Sequence, residues 1–372
     1  MKKVGVVANT SWNILNFRGG LISFIRDAGH EIIIIAPQDE FSEELSKQNF
    51  KIVYLQSLAR KGTSPLKDLM LTFELAKIYR QLDLDIVLQY TIKPNIYGSF
   101  AGFLSNKKTI STVTGLGFVF LNKGISSTIA KWLYQLAFKF SHLVYFQNID
   151  DKKLFESKKL VPLEKSRLVH GSGIDTKFYH PDYCLNFPKE TEKITFLMIA
   201  RLLKDKGVYE YITAARQIKN KYPTTSFLLL GDQDQGNPAA VEEEDLNNWK
   251  QEGVVDFLGF KRNTRDYICQ ANAIVLPSYR EGVPRVILEA FAMSKPCITT
   301  DAPGCKHTVD HEKNGLICKV KNAEDLFLKM EQFILLSKEQ KEIMGKNARK
   351  KAESVYSLDK IVKEYLAIID EI

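Results

Sequence analysis

Residues 273–292 read Ala273-Ile274-Val275-Leu276-Pro277-Ser278-Tyr279-Arg280-Glu281-Gly282-Val283-Pro284-Arg285-Val286-Ile287-Leu288-Glu289-Ala290-Phe291-Ala292. The first four residues form an unbroken apolar run, with the length and branching of a buried strand. Pro277-Ser278 ends it with a turn. A helix begins at about Pro284–Arg285, where proline is tolerated because its missing N–H has no intrahelical partner anyway. A buried strand, a loop at its carboxyl end and a returning helix make up the repeating unit of a parallel sheet covered by helices on both faces.

The same rhythm extends in both directions. Ile194–Ile199, Ser226–Leu230, Val254–Leu258 and Pro296–Thr299 are predicted strands, with helices at Val208–Lys221, Glu242–Glu252 and Arg285–Met293. Upstream, Val4–Ala8, Ile32–Ala36, Ile52–Leu55, Ile86–Gln89 and Thr109–Val113 alternate with helical spacing at Gly20–Ala28, Glu40–Lys47 and Leu66–Arg80. His180-Pro181-Asp182-Tyr183-Cys184-Leu185-Asn186-Phe187-Pro188 interrupts the pattern without periodicity, as a connector does. Two α/β domains are therefore expected, 1–170 and 171–372, with a final helix over about 358–372 free to pack back on the first. Facing doubly wound domains would open a central cleft at the carboxyl ends of their strands, where ligands of such sheets bind.

A chain of 372 residues that is 45% apolar and 26% charged has ample material for two cores, which excludes a disordered protein. Its formal charge of +8 is unevenly spread. Residues 1–170 carry 23 basic and 14 acidic side chains, and residues 171–372 carry 29 and 30. A uniform nucleic-acid coat does not fit, whereas a basic face on the first domain, turned to an anionic partner, does. Cys184, Cys269, Cys297, Cys305 and Cys318 stand singly, which predicts five reduced thiols and a cytoplasmic protein. No apolar run spans a bilayer. Met1-Lys2-Lys3-Val4 enters a strand directly, which argues against a cleavable signal.

Two loops carry the chemistry. Glu281 is expected in the loop beyond a strand and Glu289 on the following helix, beside exposed helix-start amides that favour an anion. Carboxylates accept hydrogen bonds from sugar hydroxyls while amides hold phosphate. By spacing alone, a loop glutamate and a helix-surface glutamate fit equally well. Arg201 and Lys206, in Ala200-Arg201-Leu202-Leu203-Lys204-Asp205-Lys206-Gly207, flank a tight loop after another strand, where two cations can hold a diphosphate.

Together these residues resemble glycosyltransferase family 4, retaining enzymes of the GT-B architecture with two doubly wound Rossmann-like domains. The likeness rests on Glu-x7-Glu at Glu281 and Glu289, on Arg201 with Lys206-Gly207, and on Gly173-Ile174-Asp175 with Phe178. Met198-Ile199-Ala200-Arg201, Leu276-Pro277-Ser278-Tyr279 and Val113-Thr114-Gly115-Leu116-Gly117 look most like the bacterial branch that adds α-1,3-linked N-acetylgalactosamine to undecaprenyl-diphosphate-linked sugars.

The resemblance assigns Arg201 and Lys206 to the donor diphosphate, Glu281 to the donor sugar and Glu289 to the ribose. Gly282, Val283 and Arg285 would line sugar and phosphates, and Phe260 and Lys261 the nucleobase. Gly19 and Gly20 correspond to a glycine loop closing over the phosphates. The implied donor is a UDP-sugar, with no cofactor and no metal. Pro284 lacks one amide that could serve the phosphate. Where many relatives place a histidine beside the reaction centre, this chain reads Val113-Thr114-Gly115.

Weaker signals belong elsewhere. Asp83-Leu84-Asp85 matches Asp-x-Asp but precedes a strand, at the edge away from the cleft. Asp232-Gln233-Asp234 reads more as a loop cap than a base contact. The six histidines show no metal-ligand spacing. Lys131, Trp132 and Lys139, mixed with Tyr134, Phe138 and Phe140, suit an interfacial helix on an anionic membrane. Arg60, Lys61, Lys67 and Lys93 add charge at the cleft edge, and Thr114 and Gly115 stand there too. The expected enzyme is peripheral on the inner face of the cytoplasmic membrane. The rivals are a UDP-sugar 2-epimerase of the same two-domain build, or another family 4 hexosyltransferase of O-antigen or capsule synthesis. A nucleic-acid-binding protein lacks its module, and a nicotinamide oxidoreductase lacks Gly-x-Gly-x-x-Gly after the first strand.

Overall fold

The computed structural model describes residues 1–58, 64–116, 124–187, 193–234 and 236–372. The chain divides into two units, Met1–Gly173 with Leu358–Ile372, and Ile174–Ser357. The first is built on β1 (Lys3–Val7), α1 (Ser11–Asp27), β2 (Glu31–Ala36), α2 (Ser42–Ser46), β3 (Lys51–Tyr54), α3 (Pro65–Gln81), β4 (Ile86–Tyr90), α4 (Ile92–Ser105), β5 (Lys108–Val113), α5 (Ile125–Phe140), β6 (Leu143–Phe146), α6 (Ile149–Ser157) and β7 (Ser166–Leu168). The described strands form one sheet in the order β3-β2-β1-β4-β5-β6-β7, and every neighbouring pair is parallel.

The run Ile32-Ile33-Ile34-Ile35 in β2 is buried throughout, as a strand covered on both faces must be. Its alternate residues serve two cores. Ile32 and Ile34 meet α1, whereas Ile33 and Ile35 meet α3. Helices α3, α4, α5 and α6 cover one face of the sheet. The other face holds α1 and the chain's last helix, whose Leu358, Ile361, Val362, Tyr365 and Ile369 complete that core. The Tyr365 hydroxyl lies 3.0 Å from Thr112 Oγ1, in a contact that ties the tail to β5.

The second unit contains β8 (Thr195–Ile199), α7 (Val208–Lys221), β9 (Ser226–Leu230), α8 (Glu243–Glu252), β10 (Asp256–Gly259), α9 (Arg265–Gln270), β11 (Ala273–Leu276), α10 (Arg285–Ala292), β12 (Cys297–Thr300), β13 (Gly315–Cys318), α11 (Ala323–Leu335) and α12 (Lys338–Val355). The tail that returns to the first unit is α13 (Leu358–Glu371). The second sheet runs β10-β9-β8-β11-β12-β13, again all parallel. In both sheets the strand order reverses direction once, between β1 and β4 and between β8 and β11. Connections diverge to opposite faces at such points and leave a crevice at the carboxyl ends of the flanking strands.

Several expectations need correcting. Helix α1 begins at Ser11, not Gly20, because Thr10 Oγ1 accepts from the Asn13 amide at 3.0 Å and starts the helix a loop earlier. Gly19 and Gly20 therefore lie inside a helix and form no glycine loop. A Cβ on Gly20 would sit 2.4 Å from Leu358 Cδ2, so this glycine makes room for α13. The predicted thiols of Cys184 and Cys269 are replaced by a disulfide joining the connector to α9 across 85 residues. Spacing could not reveal a pair that only the fold brings together. Cys297, Cys305 and Cys318 are free and buried.

Candidate functional site

The two motif loops of the second unit both leave strands at its switch point, the first after β8 and the second after β11. Lys206 Nζ donates to Glu281 Oε1 at 2.5 Å, and Ser278 Oγ donates to the same oxygen at 2.8 Å. This ion pair is largely sheltered, with the side chains of Lys206 and Glu281 only 19% and 16% exposed. Glycines permit the approach. Gly207 has φ +77°, and a Cβ there would lie 2.2 Å from the Pro277 carbonyl oxygen. Gly304, at φ +82°, presses on the carbonyls of Glu281 and Gly282 in the same way. The Glu281 amide donates to the Pro303 carbonyl at 3.0 Å. Tyr279, beside it, donates from its hydroxyl to Glu210 Oε1 at 2.6 Å. Three loops, 200–207, 277–284 and 301–304, thus meet at one sheet edge.

Arg201 is half exposed and donates from Nη1 to Asp234 Oδ2 at 2.6 Å. Asn237 Nδ2 donates to that same carboxylate oxygen at 3.0 Å. Asp234 therefore orients the guanidinium, a role that loop-cap reasoning did not foresee. Asp232 does behave as a cap, since its Oδ1 accepts from the Phe260 amide at 3.1 Å. Phe260 and Lys261 are exposed on the loop beyond β10.

Glu289 is buried on α10, and both of its carboxylate oxygens accept from protein donors. Oε1 accepts from Arg285 Nε at 2.9 Å and from the Tyr179 hydroxyl at 3.1 Å, while Oε2 accepts from Thr264 Oγ1 at 3.4 Å. Burial and the adjacent Glu289 charge push the Tyr179 hydroxyl well above its usual pKa, so it stays a donor. A helix-surface glutamate would be solvated; this one is not. Helix α10 starts at Arg285 with Pro284 capping, and Gly282 and Val283 lie in the preceding turn. Neither Tyr179 nor Thr264 carried a sequence signal, because each reaches Glu289 from a segment far away along the chain.

In the first unit, Thr114 and Gly115 directly follow β5 at the carboxyl edge. Thr91, at the end of β4 beside the switch point, has φ +73° and ψ +166°, a region that β-branched residues avoid. Its buried hydroxyl has no hydrogen-bond partner among the described residues. Arg18 is buried over the Tyr90 ring, 4.0 Å from its centroid. Lys93 was expected to offer charge at this edge. Instead its Nζ donates to Asp68 Oδ1 at 2.8 Å, and the Tyr97 hydroxyl donates to Oδ2 at 3.0 Å. Lys67 and Lys139 are exposed, Lys131 is half-buried, and Trp132 is exposed. Arg60 and Lys61 lie outside the described residues. Asp83 pairs with Lys107 at 2.6 Å and Asp85 accepts from the Lys3 amide at 2.7 Å, so both are engaged at the amino edge.

Comparisons with known proteins place the chain among families and folds. A model described as "Glycosyl transferase 4-like" matches residues 3–148, and one described as "Glycosyl transferases group 1" matches residues 186–351. The chain is 30% identical, over 100% of its length and 99% of the relative's, to the N,N'-diacetylbacillosaminyl-diphospho-undecaprenol alpha-1,3-N-acetylgalactosaminyltransferase of Campylobacter jejuni. It is 25% identical, over 83% of its length and 82% of the relative's, to the UDP-Gal:alpha-D-GlcNAc-diphosphoundecaprenol alpha-1,3-galactosyltransferase of Escherichia coli. Anabaena HepE, solved in complex with UDP-glucose, has the same fold, with a TM-score of 0.83 over all of both chains at 17% identity.

Proposed function

We propose a specific transfer on the premise that this chain belongs to the GT-B glycosyltransferases, with a 4-like region followed by a group 1 region. The enzyme moves a hexosamine, N-acetylgalactosamine, from its UDP donor to the terminal sugar of an undecaprenyl-diphosphate-linked acceptor, forming an α-1,3 linkage. It works as a peripheral protein on the inner face of the cytoplasmic membrane, a placement that rests on the nucleotide-sugar donor and not on the cysteines, two of which form a bridge, and it needs no metal. The observation that carries this reading is the Lys206–Glu281–Ser278 cluster, which stands with Arg201 at the switch point of the second sheet. The Campylobacter relative supports the choice of donor sugar, linkage and lipid-linked acceptor.

In this reading Arg201 and Lys206 offset the charge of the donor diphosphate as its bond to the sugar breaks. Glu281 accepts from sugar hydroxyls, Gly282, Val283 and Arg285 line sugar and phosphates, and Glu289 accepts from the ribose. Phe260 and Lys261 flank the base. Double displacement needs a carboxylate within bonding reach of the anomeric carbon. Glu281 is tied to Lys206 and Ser278, which favours attack from the face the diphosphate leaves. The acceptor hydroxyl oxygen bonds to the anomeric carbon, the bond to the β-phosphate oxygen breaks, and that phosphate takes the hydroxyl proton. The α configuration is retained. The strained Thr91, with Thr114 and Gly115, supports an acceptor site at the first unit's edge.

The test is UDP release from labelled UDP-N-acetylgalactosamine, with and without a diphosphate-linked lipid sugar. Acceptor-dependent release with an α-linked product by NMR is expected, unchanged by EDTA. Isomerisation of the donor without acceptor would instead identify a 2-epimerase. A panel of UDP-sugars in which another hexose wins would replace the donor.

A further inference from the structure

Two of the donors that hold Glu289 come from segments far apart in the chain. Tyr179 belongs to the connector, and Thr264 immediately precedes α9. A covalent bond joins these segments to each other. The connector continues as a 3₁₀ turn, Pro181–Asn186, and Cys184 in that turn is bonded to Cys269 in α9. Contacts on the same two segments surround the bridge. The Arg265 guanidinium lies between two connector rings, 3.7 Å from the Phe178 centroid and 4.2 Å from that of Tyr183. Arg265 Nη1 donates to the Phe178 carbonyl at 3.2 Å, and the Tyr183 hydroxyl donates to Asp266 Oδ1 at 2.6 Å.

The two sides of the bridge are anchored unequally. Helix α9 has only six residues, too few to hold its shape alone, but Lys295 Nζ fixes its end through the Cys269 and Ala271 carbonyls at 2.8 and 2.7 Å. Arg349 holds the start of the connector, donating to the Thr176 carbonyl at 3.0 Å and to the Tyr179 carbonyl at 2.8 Å. The 3₁₀ turn is less secure. None of its six residues is fully buried, and Leu185 is 73% exposed. The bridge and the Tyr183 hydroxyl therefore carry much of the tie between this turn and α9. The bond is also within reach of a thiol. Cys184 is half-buried, whereas Cys297, Cys305 and Cys318 are enclosed.

We infer that the Cys184–Cys269 bond is a redox-sensitive clamp on the donor site, closed in the oxidised protein and opened by a cytosolic dithiol. The inference rests on the proposed inner-face location and on Glu289 as the group that accepts from the ribose. Disulfides of proteins in reducing compartments are mostly transient and serve catalysis or redox sensing. Opening proceeds by thiol–disulfide exchange. A thiolate of the dithiol attacks Cys184 Sγ, the bond to Cys269 Sγ breaks, and Cys269 leaves as a thiolate that takes a proton. The second thiol of the reductant then attacks its own sulfur in the mixed disulfide and releases Cys184 as a thiol. The bridge gains two electrons and two protons, and the dithiol ends as a disulfide. Once the turn is free, α9 and the connector lose a shared constraint. The tie from Thr264 to Glu289, at 3.4 Å the longest of the three, loosens first. A less firmly held carboxylate binds the donor more weakly, and reoxidation restores it.

The experiment titrates UDP into the full chain by calorimetry, before and after dithiothreitol, well below the melting transition of the reduced protein. Maleimide labelling of a native aliquot reports the bridge, because Cys184 should label only after reduction. The dissociation constant for UDP is expected to rise about five- to tenfold on reduction, the scale of one weakened hydrogen bond to a charged group, and to recover on reoxidation. Cys184→Ser and Cys269→Ser should each stay at the weaker value and ignore dithiothreitol. Amide exchange in residues 176–187 and 263–270 should quicken more than in the rest of the unit. A bridge that resists dithiothreitol in the native protein, an unchanged affinity in a sample whose bridge is open, or serine variants that still respond to the reductant would each overturn the clamp. Glu289→Ala, run in parallel, separates the two readings. If it weakens UDP binding while reduction does not, the clamp alone fails. If UDP binding ignores E289A, the ribose assignment fails and the clamp's route to the donor falls with it.

Discussion

Lys206 and Glu281 show how one ion pair fixes two side chains of the candidate site. The pair is sheltered, so removing one partner leaves the other charge poorly compensated, at a cost well above that of a surface pair. Lys206→Ala and Arg201→Ala are each expected to lower kcat by about 10²–10³-fold, the scale of losing one donor to a developing anion. Near wild-type turnover in either would remove that residue from the diphosphate site. Glu289 poses a different case. If it holds the ribose equally in ground and transition states, Glu289→Ala should raise the donor KM with a smaller change in kcat. Its ties to Tyr179, Arg285 and Thr264 add a second expectation. Tyr179→Phe should move the donor KM in the same direction by less, since one donor of three is lost. A kcat-only effect in E289A would contradict the ribose assignment.

At the scale of elements, α13 belongs to the second unit by chain order and to the first by packing, as the expectation that it could pack back allowed. It follows the second unit in the chain but fills the first unit's core with Leu358, Ile361, Val362, Tyr365 and Ile369. Tyr365→Ala removes a buried ring packed 5.1 Å from Tyr145, and is expected to cost about 3–5 kcal/mol. Hydrogen exchange should show the loss in the first sheet and spare the second; uniform loss would mean the two units unfold together. The Cys184–Cys269 bridge works on the other unit. Closing a long loop restricts the unfolded chain, so reduction should lower that unit's stability by about 2–4 kcal/mol, read as a drop in its melting transition with dithiothreitol. An unchanged transition would show that the bridge contributes nothing. Strands such as Ile32–Ala36 and Ala273–Leu276 were legible because buried parallel strands are uninterrupted apolar runs. β7 has three residues, two of them polar, and carries too little pattern to read, whereas β6 and β13 went unread although they are as long as Ala273–Leu276. Gly19 and Gly20 misled for a physical reason: glycine signals either a loop or a close approach, and only the position of Leu358 decides between them. Glu281 with Lys206 was legible because both lie in loops after recognisable strands. Tyr179, Asp234 and Thr91 were not, since their roles depend on contacts or backbone angles that no spacing encodes.

Across the whole molecule, the division of charge changes once α13 is assigned by packing. Met1–Gly173 with Leu358–Ile372 carries 25 basic and 18 acidic side chains, and Ile174–Ser357 carries 27 and 26. The excess still belongs to the first unit, softened by the acidic tail. Part of it is spent internally, as Lys93 with Asp68 and Lys107 with Asp83 show. What remains outward includes Lys67, Lys77 and Lys139, among the apolar side chains of α3 and α5. Each basic residue near an anionic surface contributes about 1 kcal/mol, and this contribution is screened by salt. The cations proposed for the donor are arranged differently, since Lys206 sits in a sheltered pair where screening is weaker. Raising sodium chloride from about 0.1 to about 1 M shortens the screening length from about 10 to about 3 Å. Partition onto phosphatidylglycerol vesicles should then fall severalfold while the donor KM shifts less. A residual, salt-resistant fraction is expected from those apolar side chains, because burying hydrocarbon does not depend on counterions. If salt abolished binding completely, the lysines alone would hold the protein. If the donor KM rose more than vesicle binding fell, the assignment of the two charge sets would have to be exchanged.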